Sequence, residues 1–167
     1  MAAYRLKQQL VNNMSEQTSQ SERDEFREYC QRWLEENRPP PTKIPLPQNA
    51  YEVTFHDHRT YLCDWQAKCY EAQLIGTDVP QDYGGHGHTE FQAIASAEVR
   101  KANVPYFINW IGLGMTAPTL LIHGTEEQKK RFLPPIFSAE EIWCQGFSEP
   151  GAGSDLVSLQ TSAIKDG

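Results

Sequence analysis

Long apolar runs are missing from this sequence, and no stretch approaches the roughly 20 apolar residues that a membrane-spanning helix needs. Cysteine is sparse: Cys30, Cys63, Cys69 and Cys144 are scattered and form no Cys-x-x-Cys pair. A small disulfide scaffold would place more cysteines in a shorter chain, so free thiols in a reducing compartment are the expectation. A basic stripe is also lacking. Lysine and arginine number 15 against 22 acids, a net charge of -7, which argues against a nucleic-acid partner. The amino terminus, MAAYRLKQQLVNNM, is too polar for a secretory segment. Arg5 and Lys7 without an acid allow a weak amphipathic targeting segment, or a start at Met14. The reading preferred here is a disordered lead-in over residues 1–18.

What is present describes a globular chain. Hydrophobic residues make up 39% and charged residues 22% of 167 residues, enough to bury a core in about one domain. Ser19 with Glu22 forms a capping box. Phe26, Tyr29, Cys30, Trp33 and Leu34 then recur with helical spacing. This first helix must stop before Pro39-Pro40-Pro41. RPPPTKIPLP reads as an extended connector rather than an SH3-type ligand.

A second helix is expected from about His56 to Leu74, with Tyr61, Leu62, Trp65, Cys69 and Ala72 as its stripe and Gly76 as its stop. VPQDYGGHG, residues 79–87, is a turn-rich loop. Thr89 caps a third helix carrying Phe91, Ile94, Ala95, Glu98, Val99 and Ala102. Glu98 reads as a partly exposed charge paired with Arg100 or Lys101. The fourth helix, about Tyr106 to His123, is apolar nearly all round and so expected to be buried. Pro118 should kink or split it, and Gly124 should end it. Thr125 with Gln128 is a second capping box, opening a fifth helix that Pro134-Pro135 should close. Strands are expected at residues 141–147 and 159–164, with Lys165-Asp166-Gly167 as a hairpin turn. A lone strand pair is marginal in water, so this β-part reads as unfinished.

The stretch GFSEPGAGSD, residues 146–155, holds three glycines, a proline, two serines and two acids. A dinucleotide fingerprint fails, because Gly151-Ala152-Gly153 is followed by Leu156 where a glycine is needed and no βαβ unit surrounds it. A P-loop fails for want of a Gly-Lys-Ser/Thr ending. A nucleophile elbow fails because Pro150 replaces its last glycine. Two readings stay open from the residues alone: a β-turn with solvated serines, or a loop whose bare amides and hydroxyls cradle a polar, partly anionic ligand.

WCQGFSEPGAGSDLVSLQT, residues 143–161, resembles the flavin loop of acyl-CoA dehydrogenases. VPQDYGGHG resembles the first loop of that family, and HGTEEQKKRFLPPI, residues 123–136, the segment ahead of the flavin strand. The resemblance implies a mainly α fold: an amino-terminal helical domain over residues 19–140, then at 141–167 the first strands of an incomplete middle β-domain. It implies FAD as cofactor, with Gln145, Gly146, Phe147, Ser148, Gly153 and Ser154 lining it. Phe147 and Ser148 fall at the pyrimidine edge of the flavin ring, and Ser154 at the FAD pyrophosphate and the acyl-CoA ligand. Ser148 stands where threonine is frequent, and Gln145 where some members carry an aromatic residue.

The implied activity is oxidation of an acyl-CoA to the 2,3-enoyl-CoA, by α-proton abstraction and hydride transfer from the β-carbon to flavin N5. No acid here matches the family's base, so that base is expected beyond residue 167 and the chain alone is expected to be inactive. The resemblance further implies fatty-acid β-oxidation, electron-transferring flavoprotein as acceptor and a homo-oligomer when complete. The implied location is the cytoplasm, or the mitochondrial matrix in a eukaryote. An acyl-CoA oxidase portion and a non-catalytic helical interaction module are the alternatives.

Other residues carry plainer readings. His56, His58, His86 and His88 read as exposed loop histidines rather than metal ligands. Glu149 and Asp155 suit loop capping better than acid catalysis. Trp65, Trp110 and Trp143 read as core residues, and Tyr83 either packs the turn or lines an acyl pocket.

Overall fold

In the computed structural model, residues 19–165 are described except 89 and 147. The lead-in at 1–18, the Thr89 cap, Phe147 and the Asp166-Gly167 turn lie outside the described residues. Helix α1 spans Gln20–Glu36, α2 His56–Glu71, α3 Phe91–Lys101, α4 Ala117–His123 and α5 Glu126–Ser138. A π-helical turn, Gly112–Thr116, leads directly into α4.

Both expected capping boxes form. The Ser19 hydroxyl accepts from the Glu22 amide while the Ser19 amide donates to the Glu22 carboxylate. Thr125 and Gln128 do the same at the start of α5. Each pair satisfies two amide donors that the first turn of a helix leaves free.

Helix α1 packs on α3 and α2 packs on α5. Cys30 and Leu34 of α1, Trp65 and Cys69 of α2, Ala95 of α3, and Leu133, Ile136 and Phe137 of α5 meet in one core. Full burial of side chains this size stabilises by roughly 1.5–3 kcal/mol each. Burial pushes the Cys30 thiol up to about 12. All four cysteines are free thiols.

Several boundaries differ from the sequence expectation. Helix α2 stops at Glu71, before Gly76, because Gln73 takes a left-handed conformation (φ 62°) and the Leu74 amide turns back to the Cys69 carbonyl. Helix α5 runs through Pro134 and Pro135 to Ser138. Its last turn is held by burial of Ile136 and Phe137 and by the Gln66 amide, which donates to both of their carbonyls. These gains outweigh the backbone donors that two prolines remove. The fourth helical region begins near Trp110 rather than Tyr106 and is divided by the π turn ahead of Pro118. It is not buried all round: Trp110, Met115 and Ile122 are exposed. Glu98 is buried, not partly exposed, and pairs with Lys101 at 2.7 Å.

The strands expected at 141–147 and 159–164 do not form among the described residues. The β-type feature there is one isolated bridge, Glu149 with Ala152. A strand exists only through hydrogen bonds to a neighbour, and these apolar segments have none beside them. The described residues of both segments carry no regular secondary structure. No described helix is long and apolar enough to cross a membrane.

Candidate functional site

The loop at 76–88 folds back on itself through backbone bonds. His86 donates to the Gly76 carbonyl, Gly87 to Val79 and His88 to Thr77. Gly85 sits where a Cβ would lie 2.0 Å from the Val79 carbonyl oxygen, so only a bare backbone fits. The Tyr70 hydroxyl anchors the loop by donating to the Gly84 carbonyl at 2.6 Å.

This loop, α3, the π turn and α4 border an open pocket of about 520 Å³. Ile75, Val79, Phe107, Trp110, Leu113 and Leu121 supply most of its wall, and Gln92 and Ser96 its few polar groups. A cavity of this size with so apolar a lining suits a greasy ligand of small-molecule dimensions. Trp110 is not the core residue expected. It is 42% exposed, stands edge-on to Tyr51, and also borders a smaller cleft formed with Ile142, Trp143 and Cys144. Tyr83 packs the turn, donating to Glu126 at 2.7 Å, and is absent from the cavity wall.

The glycine-rich stretch follows Cys144. Gln145, Gly146, Ser148, Gly153 and Ser154 are all exposed. The Glu149–Ala152 bridge closes a tight turn that brings the Ser148 hydroxyl to 3.7 Å from where a Cβ on Gly153 would lie. Gly146 has open space around it, with nothing within 4 Å of where a Cβ would lie. Glu149 caps the loop as expected: its carboxylate accepts the amides of Gln160 and Thr161 at 2.9 and 2.6 Å. The bonds from Thr161 and Gln160 hold the Glu149 carboxyl below the usual carboxylate range. Asp155 contributes its backbone carbonyl, which accepts from Ser158.

The histidines are spread over separate contacts. His58 is buried, not exposed, with Nε2 3.0 Å from the Ile44 carbonyl. His86 lies 3.1 Å from the Tyr70 carbonyl, and burial lowers its basicity. Among the described residues no three His, Cys, Asp or Glu side chains gather as a metal set would.

Sequence reasoning missed Phe107 and Trp110 as cavity residues, because an apolar residue in a helix reads equally as core or lining. It also missed Gln66 and Asn109, which are both fully buried. The signal for Asn109 was an amide embedded in an otherwise apolar stretch; Gln66, between Asp64 and Lys68, gave none.

Comparison with known proteins places these features. A profile of the acyl-CoA dehydrogenase N-terminal domain matches residues 20–140. Acyl-CoA dehydrogenase IpdE1 of Mycobacterium tuberculosis is 36% identical over 149 residues, covering 86% of this chain and 37% of its own length. Among solved structures, a variant of the Tcur3481–Tcur3483 steroid ACAD superposes with a TM-score of 0.60 at 27% identity, over 89% of this chain and 37% of that one. The ChsE4–ChsE5 complex from Mycobacterium tuberculosis superposes with a TM-score of 0.58 at 26% identity, over 89% and 36%. The chain thus spans little more than a third of the length of the relatives it matches.

Proposed function

The chain belongs to the acyl-CoA dehydrogenase family, and on that premise we propose that it forms the amino-terminal part of an FAD-dependent acyl-CoA dehydrogenase. The observation that carries the proposal is the exposure of Gln145, Gly146, Ser148, Gly153 and Ser154, just beyond a cleft that shares Trp110 with the apolar pocket. The loop fits a flavin dinucleotide. Nothing lies within 4 Å of a Cβ built on Gly146 or Gly151, so a ligand can approach the main chain closely. The Ser148 and Ser154 hydroxyls form no hydrogen bond among the described residues, and both can donate to carbonyl or phosphate oxygens.

When bound, FAD would supply the acceptor for a hydride leaving the substrate's β-carbon. Residues of this chain do the rest of the work assigned to them. Phe147 and Ser148 would meet the pyrimidine edge of the flavin through backbone and hydroxyl. Ser154 would donate to the pyrophosphate and meet the acyl-CoA. Gln145, Gly146 and Gly153 would line the cofactor beside them. Ile75, Phe107, Trp110 and Leu113 take the acyl portion and exclude water from it. The carboxylate base, the oligomer contacts and the surface that meets electron-transferring flavoprotein belong to the rest of the enzyme. The domain division follows: helical domain to about residue 140, flavin-facing segment after it.

Two variants of the full-length protein test the loop. A lost hydrogen bond to a charged oxygen costs roughly 1.5–3 kcal/mol, and one between neutral groups roughly 0.5–1.5. Ser154→Ala is therefore expected to raise the FAD dissociation constant more than Ser148→Ala, while Ser148→Ala shifts the flavin's reduction potential. FAD dissociation unchanged in both would mean that the stretch only turns the chain.

A further inference from the structure

Two buried side-chain amides meet where four segments come together. Gln66, in α2, has no exposed surface. Its Nε2 donates to the carbonyls of Ile136 and Phe137, both at 3.1 Å, and its Oε1 accepts the backbone N–H of Asn109 at 3.1 Å. Asn109 is equally buried. Its Nδ2 donates to the Ile136 carbonyl at 3.0 Å and the Glu141 carbonyl at 2.9 Å, and its Oδ1 accepts the Trp143 amide at 2.9 Å. Every polar atom of the two side chains is paired, so the arrangement is stiff and costly to rearrange.

Gly112 makes room for it. A Cβ there would lie 2.4 Å from Asn109 Oδ1 and 2.6 Å from Nδ2. Such a contact cannot be accommodated without moving the amide.

A pair serving helix packing alone would bond within the helices. This one reaches out to the backbone at 141 and 143, in irregular chain beyond the end of α5. The next residues are Gln145 and Gly146. On the other flank, Asn109 is followed directly by Trp110, on the wall of the large cavity.

We propose that Asn109, braced by Gln66 and accommodated by Gly112, is a positioning residue that fixes the register and direction of residues 141–144, and through them where the glycine-rich loop meets FAD. The proposal rests on reading that loop as the flavin-facing segment. One side chain thereby ties the acyl cavity wall to the loop, so that the two are held at a fixed offset.

The test uses the full-length protein and four variants. Asn109→Leu removes every side-chain bond of the amide and leaves the backbone bond to Gln66. Asn109→Asp keeps the acceptor for the Trp143 amide but turns a carboxylate oxygen toward the Ile136 and Glu141 carbonyls. Gly112→Ala displaces the amide without changing it. Leu133→Ala is a control: its core side chain is fully buried but makes none of these polar contacts. Asn109→Leu and Gly112→Ala are expected to raise the FAD dissociation constant about tenfold and to speed amide exchange at 142–146. Asn109→Asp should fall between these and the parent. Leu133→Ala should lower Tm at least as much, yet leave both readouts within about twofold. The visible spectrum of bound flavin should shift in the first group and not in the control.

The proposal is overturned if FAD affinity follows Tm alone across all four, or if exchange at 142–146 does not respond. Should Asn109→Leu fail to fold, Gly112→Ala and Asn109→Asp carry the same comparison. If the parent protein retains no FAD, the flavin-loop reading fails, and exchange at 142–146 still decides whether Asn109 holds the segment.

Discussion

Glu98 shows how a single residue departs from its pattern. Its place beside the apolar stripe of α3 reads as a surface charge, yet only 4% of the side chain is exposed. Lys101 bonds it at 2.7 Å, Gln31 of α1 donates at 3.0 Å, and Arg27 Nε lies 4.0 Å away. The Lys101 bond, opposed in part by burial, holds the carboxyl below its ordinary value of 4.5. A carboxylate depressed in the folded state adds stability that is complete above its ordinary value and is lost as pH falls through the folded one. Glu98→Gln should therefore cost about 1–2 kcal/mol near neutral pH, and the gap to the parent should close below pH 4.5. Thermal unfolding of both proteins between acid and neutral pH measures this. A gap that stays constant with pH would assign the loss to packing instead.

At the scale of elements, the loop at 76–88 is a rigid wall rather than a slack connection. Its two arms are tied by backbone bonds, and Gly85 permits their approach. Because Ile75, Gly76 and Val79 line the pocket, distorting the loop distorts the site proposed to take the acyl group. Gly85→Ala is expected to destabilise the protein by about 1–3 kcal/mol and to weaken acyl-CoA binding. Calorimetric titration with an acyl-CoA, set beside free CoA, reads the second effect. Equal weakening of both ligands would place the damage outside the acyl cavity. The π turn belongs to the same wall. Its widened register lies directly ahead of Pro118, and such turns occur often where a helix serves a ligand.

For the whole molecule, the helical part has a closed core while residues 156–164 do not join it. Leu156, Val157, Leu159 and Ile164 are 69%, 96%, 40% and 88% exposed. Together with Ile122, Met115 and Trp110 they leave apolar surface that a larger assembly would cover, and uncovered patches of a few hundred Å² drive association. The 167-residue chain on its own is expected to elute as oligomers at micromolar concentration. Light scattering during size-exclusion chromatography checks this, and a monomer across the concentration range would contradict it.

The sequence by itself determined the order of the helices and, at the two capping boxes, where they start. Helical spacing and the reciprocal Ser19–Glu22 and Thr125–Gln128 pairs are local, and their hydrogen bonds close within one turn. It also determined the family, because the glycine-rich loop and the two flanking stretches are strings of particular residues in order. Tertiary structure decided what depends on distant partners. Helix α5 passes two prolines because Gln66, 70 positions before Ile136, caps its end. Glu98 is buried because α1 brings Gln31 to it. Trp110 lines a pocket rather than filling a core because distant segments, Gly76 and Val79 among them, meet around a space instead of closing on it. Residues 141–147 carry a strand's composition without forming one among the described residues, since composition supplies a tendency and a strand also needs a neighbour. Asn109 was invisible for the same reason. An amide in an apolar stretch acquires its meaning only when the four segments it joins are brought together.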